Sequence, residues 1–528
     1  MLASMRKAPL CTLGRRTSVE HRSVIRGRVL EEYAMARRRG AVLVGTLALA
    51  LSEAHARAGW WPPERPATSV EGPWDTRWTL EASDRLRGEI VDYFAPKPTS
   101  TTPNSRYNFL ANRFQAGVRV RRESWEAFLQ FQHTVLDDVP VGAPPGAPGK
   151  AYLDNTKRSF QEQGWLRQGW VRAEDLFGVR GAGIVVGRQL WRDGLEAPAR
   201  DPNLQWLKQQ RVAERLIGAY DYTHIGRSYD GGQVHWDTDW LNVSGFGFQP
   251  TSGGFEISAG RPIEGIQLGG LSATVKDSPR FPSSDARLFW IYYSDHRGPI
   301  VFDNRPDNAR KADTGDLRLH TIGANAAHVA ALGPGKADVL GWAAGQLGAW
   351  QALDQRAWAY ALEAGYQLTG LWARPWARLG FFRGSGDPDP KDDVHETFFQ
   401  MLPTGRQYAQ FPFYNMMNNQ DTFAQLLLQP CRSLGVRSDF HWLRVVEGKD
   451  FLYSGGGATK DDFFGFSGVP AKGAHQIGYL VDIAFTWKPI DLLTFYAYYG
   501  HVFGGDVIHQ SFAGREANYA YLESTVAF

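Results

Sequence analysis

Residues 476–488 read QIGYLVDIAFTWK, and their alternation decides the fold. Ile477, Tyr479, Val481, Ile483, Phe485 and Trp487 fall on one side of an extended chain. Gln476, Gly478, Asp482, Thr486 and Lys488 fall on the other, where Leu480 and Ala484 are the only apolar side chains. A period of two separates these sets and a helical period would mix them, so the segment is a strand. The pattern recurs from about Arg85 to Phe528. Phe114, Ala116, Val118 and Val120 oppose Arg113, Gln115, Arg119 and Arg121. Trp358, Tyr360, Leu362, Tyr366 and Leu368 oppose Glu363, Gly365 and Gln367; Val436, Phe440 and Trp442 oppose Arg437, Asp439 and His441.

The spacers between strands alternate in length. Short links fall near Arg122–Ser124, Asp237–Asp239, Thr369–Ala373, Pro430–Leu434 and Pro489–Asp491. Between them lie long Gly/Pro/Asp-rich stretches at 137–163, 192–228, 296–316, 385–420, 447–474 and 504–516. After Ala58 no run approaches the length of apolar residues that a membrane helix needs. In lipid only helices and closed sheets satisfy every backbone group, so a membrane protein of this sequence must be a barrel. Short turns alternating with long loops fit one antiparallel transmembrane β-barrel of about 18 strands, with short periplasmic turns and long extracellular loops. A strand is expected even at Glu264–Lys276, where the pattern is weakest. The rival, an exported β-sandwich or propeller, gives no reason for the loop lengths to alternate.

The bulk composition agrees. The 528 residues include 19 Trp, 20 Tyr and 30 Phe, and Trp and Tyr suit a protein with two membrane–water interfaces. A mean hydropathy of −0.36 is that of a soluble protein, but a barrel alternates lipid-facing and lumen-facing residues and can share it.

The N-terminus has the make-up of an export signal. Met35-Ala-Arg-Arg-Arg-Gly is basic, Ala41–Leu51 is apolar and short, and Ala54-His-Ala and Ala56-Arg-Ala offer small-residue cleavage sites. Residues 35–58 are therefore expected to be a signal peptide, and 1–34 an upstream mis-assignment of the start. Residues 59–84 are expected to be a periplasmic segment and 85–528 the barrel. The formal charge of +3 belongs to the leader: residues 1–58 hold 11 Lys/Arg and 4 Asp/Glu, leaving 47 basic against 51 acidic residues. That balance removes the case for nucleic-acid binding. Of the two cysteines, Cys11 and Cys431, one lies in the leader, which excludes a disulfide framework or a cysteine zinc site.

Several stretches resemble the alginate-export family of outer-membrane porins. They are Gly187-Arg-Gln, Ser294-Asp-His-Arg, Asp303-Asn-Arg-Pro and Gly365-Tyr-Gln, followed by Ser385-Gly-Asp-Pro-Asp-Pro and His395-Glu-Thr-Phe-Phe. Leu402-Pro-Thr-Gly-Arg and Phe411-Pro-Phe-Tyr-Asn-Met-Met-Asn complete the densest block. The resemblance implies an 18-stranded monomeric barrel that passes an anionic polysaccharide or similar acidic solute by diffusion. An outer-membrane barrel implies lipid, lipopolysaccharide and the barrel-assembly machinery as its other partners.

On the alternation, Arg113, Arg119, Arg121, Arg188, Arg378 and Arg437 face the lumen, with Arg172 a further candidate. Glu126, Glu363, Asp439 and Asp482 are the acids placed beside them. A guanidinium keeps its charge at physiological pH and matches carboxylate geometry. An excess of arginine would make the lumen anion-selective, and the alternative is the ordinary charged lining of a general porin.

The aromatics Phe398, Phe399, Phe411, Phe413 and Tyr414 are too many for a loop in water, so this segment either folds inward as a constriction or packs on neighbouring loops. Arg305, Asp387, Asp389, His395 and Arg406 are the constriction candidates. The carboxylates between Asp387 and Glu396 raise the question of calcium, but EF-hand spacing is missing and no cofactor is expected. Neither H-E-x-x-H nor G-x-S-x-G occurs, so no metal site or catalytic residue is nominated, and a barrel-embedded hydrolase is the lesser alternative.

Overall fold

The computed structural model describes residues 69–298, 301–404 and 408–528. The segments expected to be a mis-assigned start and a signal peptide, residues 1–58, therefore lie outside the described residues, as does Arg406. Eighteen antiparallel strands close into one barrel. They are β1 (Thr76–Asp92), β2 (Arg106–Arg122), β3 (Trp125–Asp137), β4 (Gln161–Glu174), β5 (Ala182–Gln189) and β6 (Tyr229–Asp237). Next come β7 (Leu241–Pro250), β8 (Ile266–Val275), β9 (Ser284–Asp295), β10 (Leu317–Leu332), β11 (Gly335–Trp350) and β12 (Leu353–Gln367). The wall ends with β13 (Trp376–Gly384), β14 (Asn419–Cys431), β15 (Leu434–Val445), β16 (Gln476–Ile490), β17 (Leu493–Gly504) and β18 (Glu516–Ala527). β1 pairs with β18 from Ser83↔Ala527 to Asp92↔Asn518, so the sheet has no free edge to expose in lipid. Phe528 and Ala82 exchange two backbone hydrogen bonds at this seam.

Outward rows are apolar and exposed, as Leu86, Ile90, Leu129, Val171, Leu288, Leu362, Leu379 and Val481 illustrate. Trp78, Trp125, Trp236, Trp372 and Trp487 are exposed around the short-turn end, where an amphipathic ring sits at the lipid–water boundary. The short turns include 123–124, 333–334, 432–433 and 491–492; the opposite end carries the loops 138–160, 190–228, 296–316, 385–418 and 446–475.

Three details differ from the sequence reading. β1 begins at Thr76, not near Arg85, because Arg77 to Asp92 pair continuously with β2; residues 76–84 belong to the wall. The link 351–352 between β11 and β12 is tight although it lies at the loop-rich end. Ile477 points inward and is buried, unlike the row it heads in the sequence. The register shifts between Leu443 and Arg444, so Ile477 is an unpaired extra residue. Its neighbour Gly478 takes φ 147°, where an added Cβ would lie 2.2 Å from the carbonyl oxygen of Phe503.

The interior is filled by loops. Trp191, Leu204, Leu207, Leu216 and Ile217 from loop 190–228 form one buried cluster with Phe398, Phe399, Met401 and Leu402 from loop 385–418. Non-helical backbone at this depth is tolerated because protein, and not lipid, surrounds it.

Candidate functional site: the lumen and the segments folded into it

The inward rows of β1 to β4 carry a column of arginines, and the segment Ala219–His224 of loop 190–228 lies against it. Arg85 donates to the carbonyls of Asp221 and Thr223, and Arg87 to that of Tyr222. Arg113 reaches the carbonyl of Asp221 at 3.0 Å, and Arg167 that of Ala219. These guanidiniums supply the donors that a buried irregular backbone requires. The Asp221 carboxylate itself meets Arg167 and Arg192 at 2.8 Å each and Arg113 at 3.9 Å. Burial raises the pKa of Asp221, but the three guanidiniums outweigh it and hold the carboxyl well below the usual range. Burial also pushes the His224 imidazole down to about 3 despite its bond to Glu89. It pushes Glu214 up to about 7, although Arg192 and Thr404 favour the carboxylate.

Open space lies on both sides of this segment. Towards the short turns, a cavity of about 500 Å³ is bounded by Arg172, Glu174, Arg192 and His235. It shares Arg172 and Glu174 with a rim cavity of about 310 Å³ that also touches Arg121 and Glu126. Towards the loops, a cleft of about 260 Å³ reaches down to Arg87 and Glu89 between Tyr152, Tyr220 and Tyr414. Arg119 pairs with Glu81 and Glu126 and stacks on Phe128; Arg172 pairs with Glu174. Arg172 and Arg192 nevertheless keep side-chain exposures of 43 % and 45 %.

The other half of the lumen is sealed. Arg378 is fully buried between Trp206 and Trp376, paired with Asp338 and Glu363. Glu363 also takes Arg211 at 3.4 Å and Arg215 at 3.5 Å from the inward loop. Lys208 reaches Asp285, and Arg287 binds Asp193 and Glu196 at 2.6 Å each. Asp439 pairs with Arg437, and Asp482 accepts from the Tyr498 hydroxyl.

The lumen rows therefore contain Arg113, Arg119, Arg121, Arg172, Arg378, Arg437, Glu126, Glu363, Asp439 and Asp482, but divide them unequally. Arg188 is a correction. It shares its row with exposed Val186, opposite Asp230 in the row of exposed Val234 and Trp236, so it faces outward. There it makes a two-pronged pair with Asp230 at 2.7 Å, which neutralises the charge on the outer face. An excess of arginine over acid is likewise not what the wall displays, since nearly every arginine named above has a carboxylate partner.

Phe398, Phe399, Phe411, Phe413 and Tyr414 are buried, as their number requires. Of the constriction candidates among the described residues, Asp387 and His395 are buried in the loop cap, Arg305 keeps 9% side-chain exposure there, and Asp389 is exposed. Arg305 is bound by Asp303 and Asp313 at 2.8 Å. His395 stacks on Trp350 with ring centroids 4.0 Å apart, and burial lowers its pKa to about 3. Asp387, Asp389 and Asp392 each accept a backbone N–H two residues on, closing local turns. The inward course of loop 190–228, with Lys208, Arg211, Arg215 and Arg227, is missed by the sequence reading. Its run Leu204, Trp206, Leu207, Val212, Leu216 and Ile217 is as unsuited to water as the aromatics of loop 385–418, and was the available signal.

A closed 18-strand barrel with an apolar outside and a charged, loop-filled inside is a protein of the outer-membrane porin class. The model of the alginate export family matches residues 97–522, and the chain belongs to that family. Its place is the outer membrane. Similar solved structures include a BenF-like porin from Pseudomonas fluorescens Pf-5, with a TM-score of 0.53 at 9% identity over 85% of this chain and 99% of that one. OccK9 (OpdG) of Pseudomonas aeruginosa gives 0.51 at 10% identity over 85% and 98%. OpdK of the same organism, crystallised with vanillate, gives 0.51 at 9% over 85% and 98%. At such identities the likeness is one of fold. No curated protein sequence matches the chain.

Proposed function

We propose that this outer-membrane channel passes an anionic polysaccharide or another acidic solute by diffusion, along the β1–β4 side of the lumen. The observation that carries the reading is the set of guanidiniums left partly open there. Arg121, Arg172 and Arg192 border the cavities on the short-turn side, and Arg113 and Arg87 border the segment Ala219–His224 itself. Each open N–H can take a carboxylate for a moment, and many weak contacts let a polymer keep moving. The paired acids Glu81, Glu126 and Glu174 hold the guanidiniums in place and compete with the solute, which favours release. A single chain of 18 strands encloses its own lumen, so the working unit is a monomer.

The test is single-channel conductance of the mature protein in planar bilayers, with and without polyuronate. A chloride-favouring current that polyuronate blocks supports the reading. Ohmic current with neither selectivity nor block reduces the function to that of a general porin.

A further inference from the structure

Three adjacent strands set Gln425 (β14), Asp439 (β15) and Asp482 (β16) side by side on the inward face, each directly opposite the next in the ladder. Two carboxylates facing each other across a ladder repel. Asp439 and Asp482 are also buried, so little water screens them. His441 lies one inward step along β15. Asp439, His441 and Asp482 each bring one ligand atom within 4.8 Å of the other two, the one such group among the described residues.

The histidine gives the cluster its chemistry. Its Nδ1 lies 3.0 Å from both oxygens of Asp421. Its Nε2 has no hydrogen-bond partner, although the side chain is 0% exposed. A carboxylate on Nδ1 keeps the proton there and leaves the Nε2 lone pair free, the arrangement that orients metal-binding imidazoles. Asp421 is itself braced by the Tyr414 hydroxyl at 3.1 Å. The oxygens of Asp439 accept from Arg437 and from the Gln425 amide, which uses two of the roughly four lone-pair sites of a carboxylate. Gln425 Oε1 is a second buried atom without a partner. Among the described residues, the one guanidinium ion-paired with any of Asp421, Asp439 and Asp482 is that of Arg437, on Asp439. The nearby Arg211 is engaged by Glu363. A dication closes this balance.

We propose that Asp439, His441 and Asp482 bind one divalent cation of the zinc or manganese kind, through His441 Nε2 and an oxygen of each aspartate. Imidazole with carboxylates suits these ions. The Asp-x-His spacing puts two ligands on one strand face, and the neighbouring strand supplies the third. Asp421 and Gln425 are positioning residues. The ion ties β15 to β16 and neutralises the paired carboxylates beneath the inward loops, away from the β1–β4 passage. The site stands whatever solute the channel carries.

The test uses the full protein purified from outer membranes, washed with chelator and then titrated with Zn²⁺ or Mn²⁺. About one equivalent per chain is expected to remain bound after dialysis. His441→Gln and Asp482→Asn should each lose most of that binding, and Asp421→Asn should weaken it about tenfold. Pulsed electron paramagnetic resonance of the Mn²⁺-loaded native protein should register nitrogen coupling from one imidazole, a readout that does not require a variant to fold. Binding no tighter than that of His441→Gln overturns the proposal. So does a bound Mn²⁺ with oxygen ligands alone, which would be an adventitious ion only.

Discussion

The two halves of the lumen wall use the same side chains for different ends. On the β11–β15 side, Arg378, Glu363 and Asp439 lie beneath Trp206, Tyr408 and the inward segments, out of reach of water. On the β1–β4 side, Arg119, Arg172 and the neighbouring Arg192 make comparable ion pairs yet keep 31%, 43% and 45% of their side-chain surface open. The loop covering is what differs, and the covering decides whether an arginine is a structural tie or a binding group. Arg378 on one side and Arg119 and Arg172 on the other are the same residue type on inward strand rows.

The largest effect should come from removing the covering. Asp193 and Ile217 are joined by a backbone hydrogen bond of 3.1 Å, so residues 196–213 can be excised and the ends bridged by a short Gly/Ser linker. Conductance should rise several-fold, because the excised segment carries the Leu204, Leu207 and Arg211 packing that fills the lumen. An unchanged conductance would mean that the segment does not obstruct the pore, and the contrast between the halves would lose its basis.

The next effect separates the halves by stability. Arg378→Met leaves buried Asp338 without a cation, with only the Trp376 indole N–H as its partner, and breaking such a pair costs about 3–5 kcal/mol. Arg172→Gln opens a pair whose partners are both a third or more exposed, for which about 1 kcal/mol is an upper value. Guanidinium unfolding of the two variants in micelles checks the difference. Equal costs would show the halves to be alike.

Strand existence was legible because alternation is local: 436–442 and 476–488 each announce a face without knowledge of their partners. The weak stretch at Glu264–Lys276 is a strand too, Ile266–Val275. The paired carboxylates opposite each arginine were less legible, since they depend on register between strands. Arg188 shows the cost: only its pairing with Asp230 in the row of Val234 reveals that it faces out. The covering itself was half legible. Loop 385–418 declared that it must pack on something through six aromatics in seventeen residues, whereas the apolar side chains of loop 190–228 are spread among Lys208, Arg211 and Arg215 and read as an ordinary outer loop.

A smaller effect sits at the boundary between the halves. Glu214 contacts Arg192 at 3.0 Å, and burial raises its pKa to about 7. A carboxyl raised in the folded state stabilises below its unfolded value, about 4.5, and that contribution is lost as pH rises through about 7. The same rise gives Glu214 a charge that competes for Arg192, alongside Asp221. Chloride preference should therefore fall as pH passes through about 7, and Glu214→Gln should flatten the step. A step that survives in Glu214→Gln belongs to another group.

The smallest effect tests the open half alone. Arg172→Gln removes one guanidinium that borders both inner cavities while leaving Glu174 a hydrogen-bond partner in His235 at 3.1 Å. Reversal potential should shift towards potassium, and polyuronate block should weaken by less than about tenfold, since one of several weak contacts is lost. The same substitution at Arg437, with side-chain exposure of 17% and bound to Asp439 under Tyr408, should leave block unchanged. If the two substitutions weaken block alike, the passage is not confined to the β1–β4 side, and the covering on the far side must open during transport.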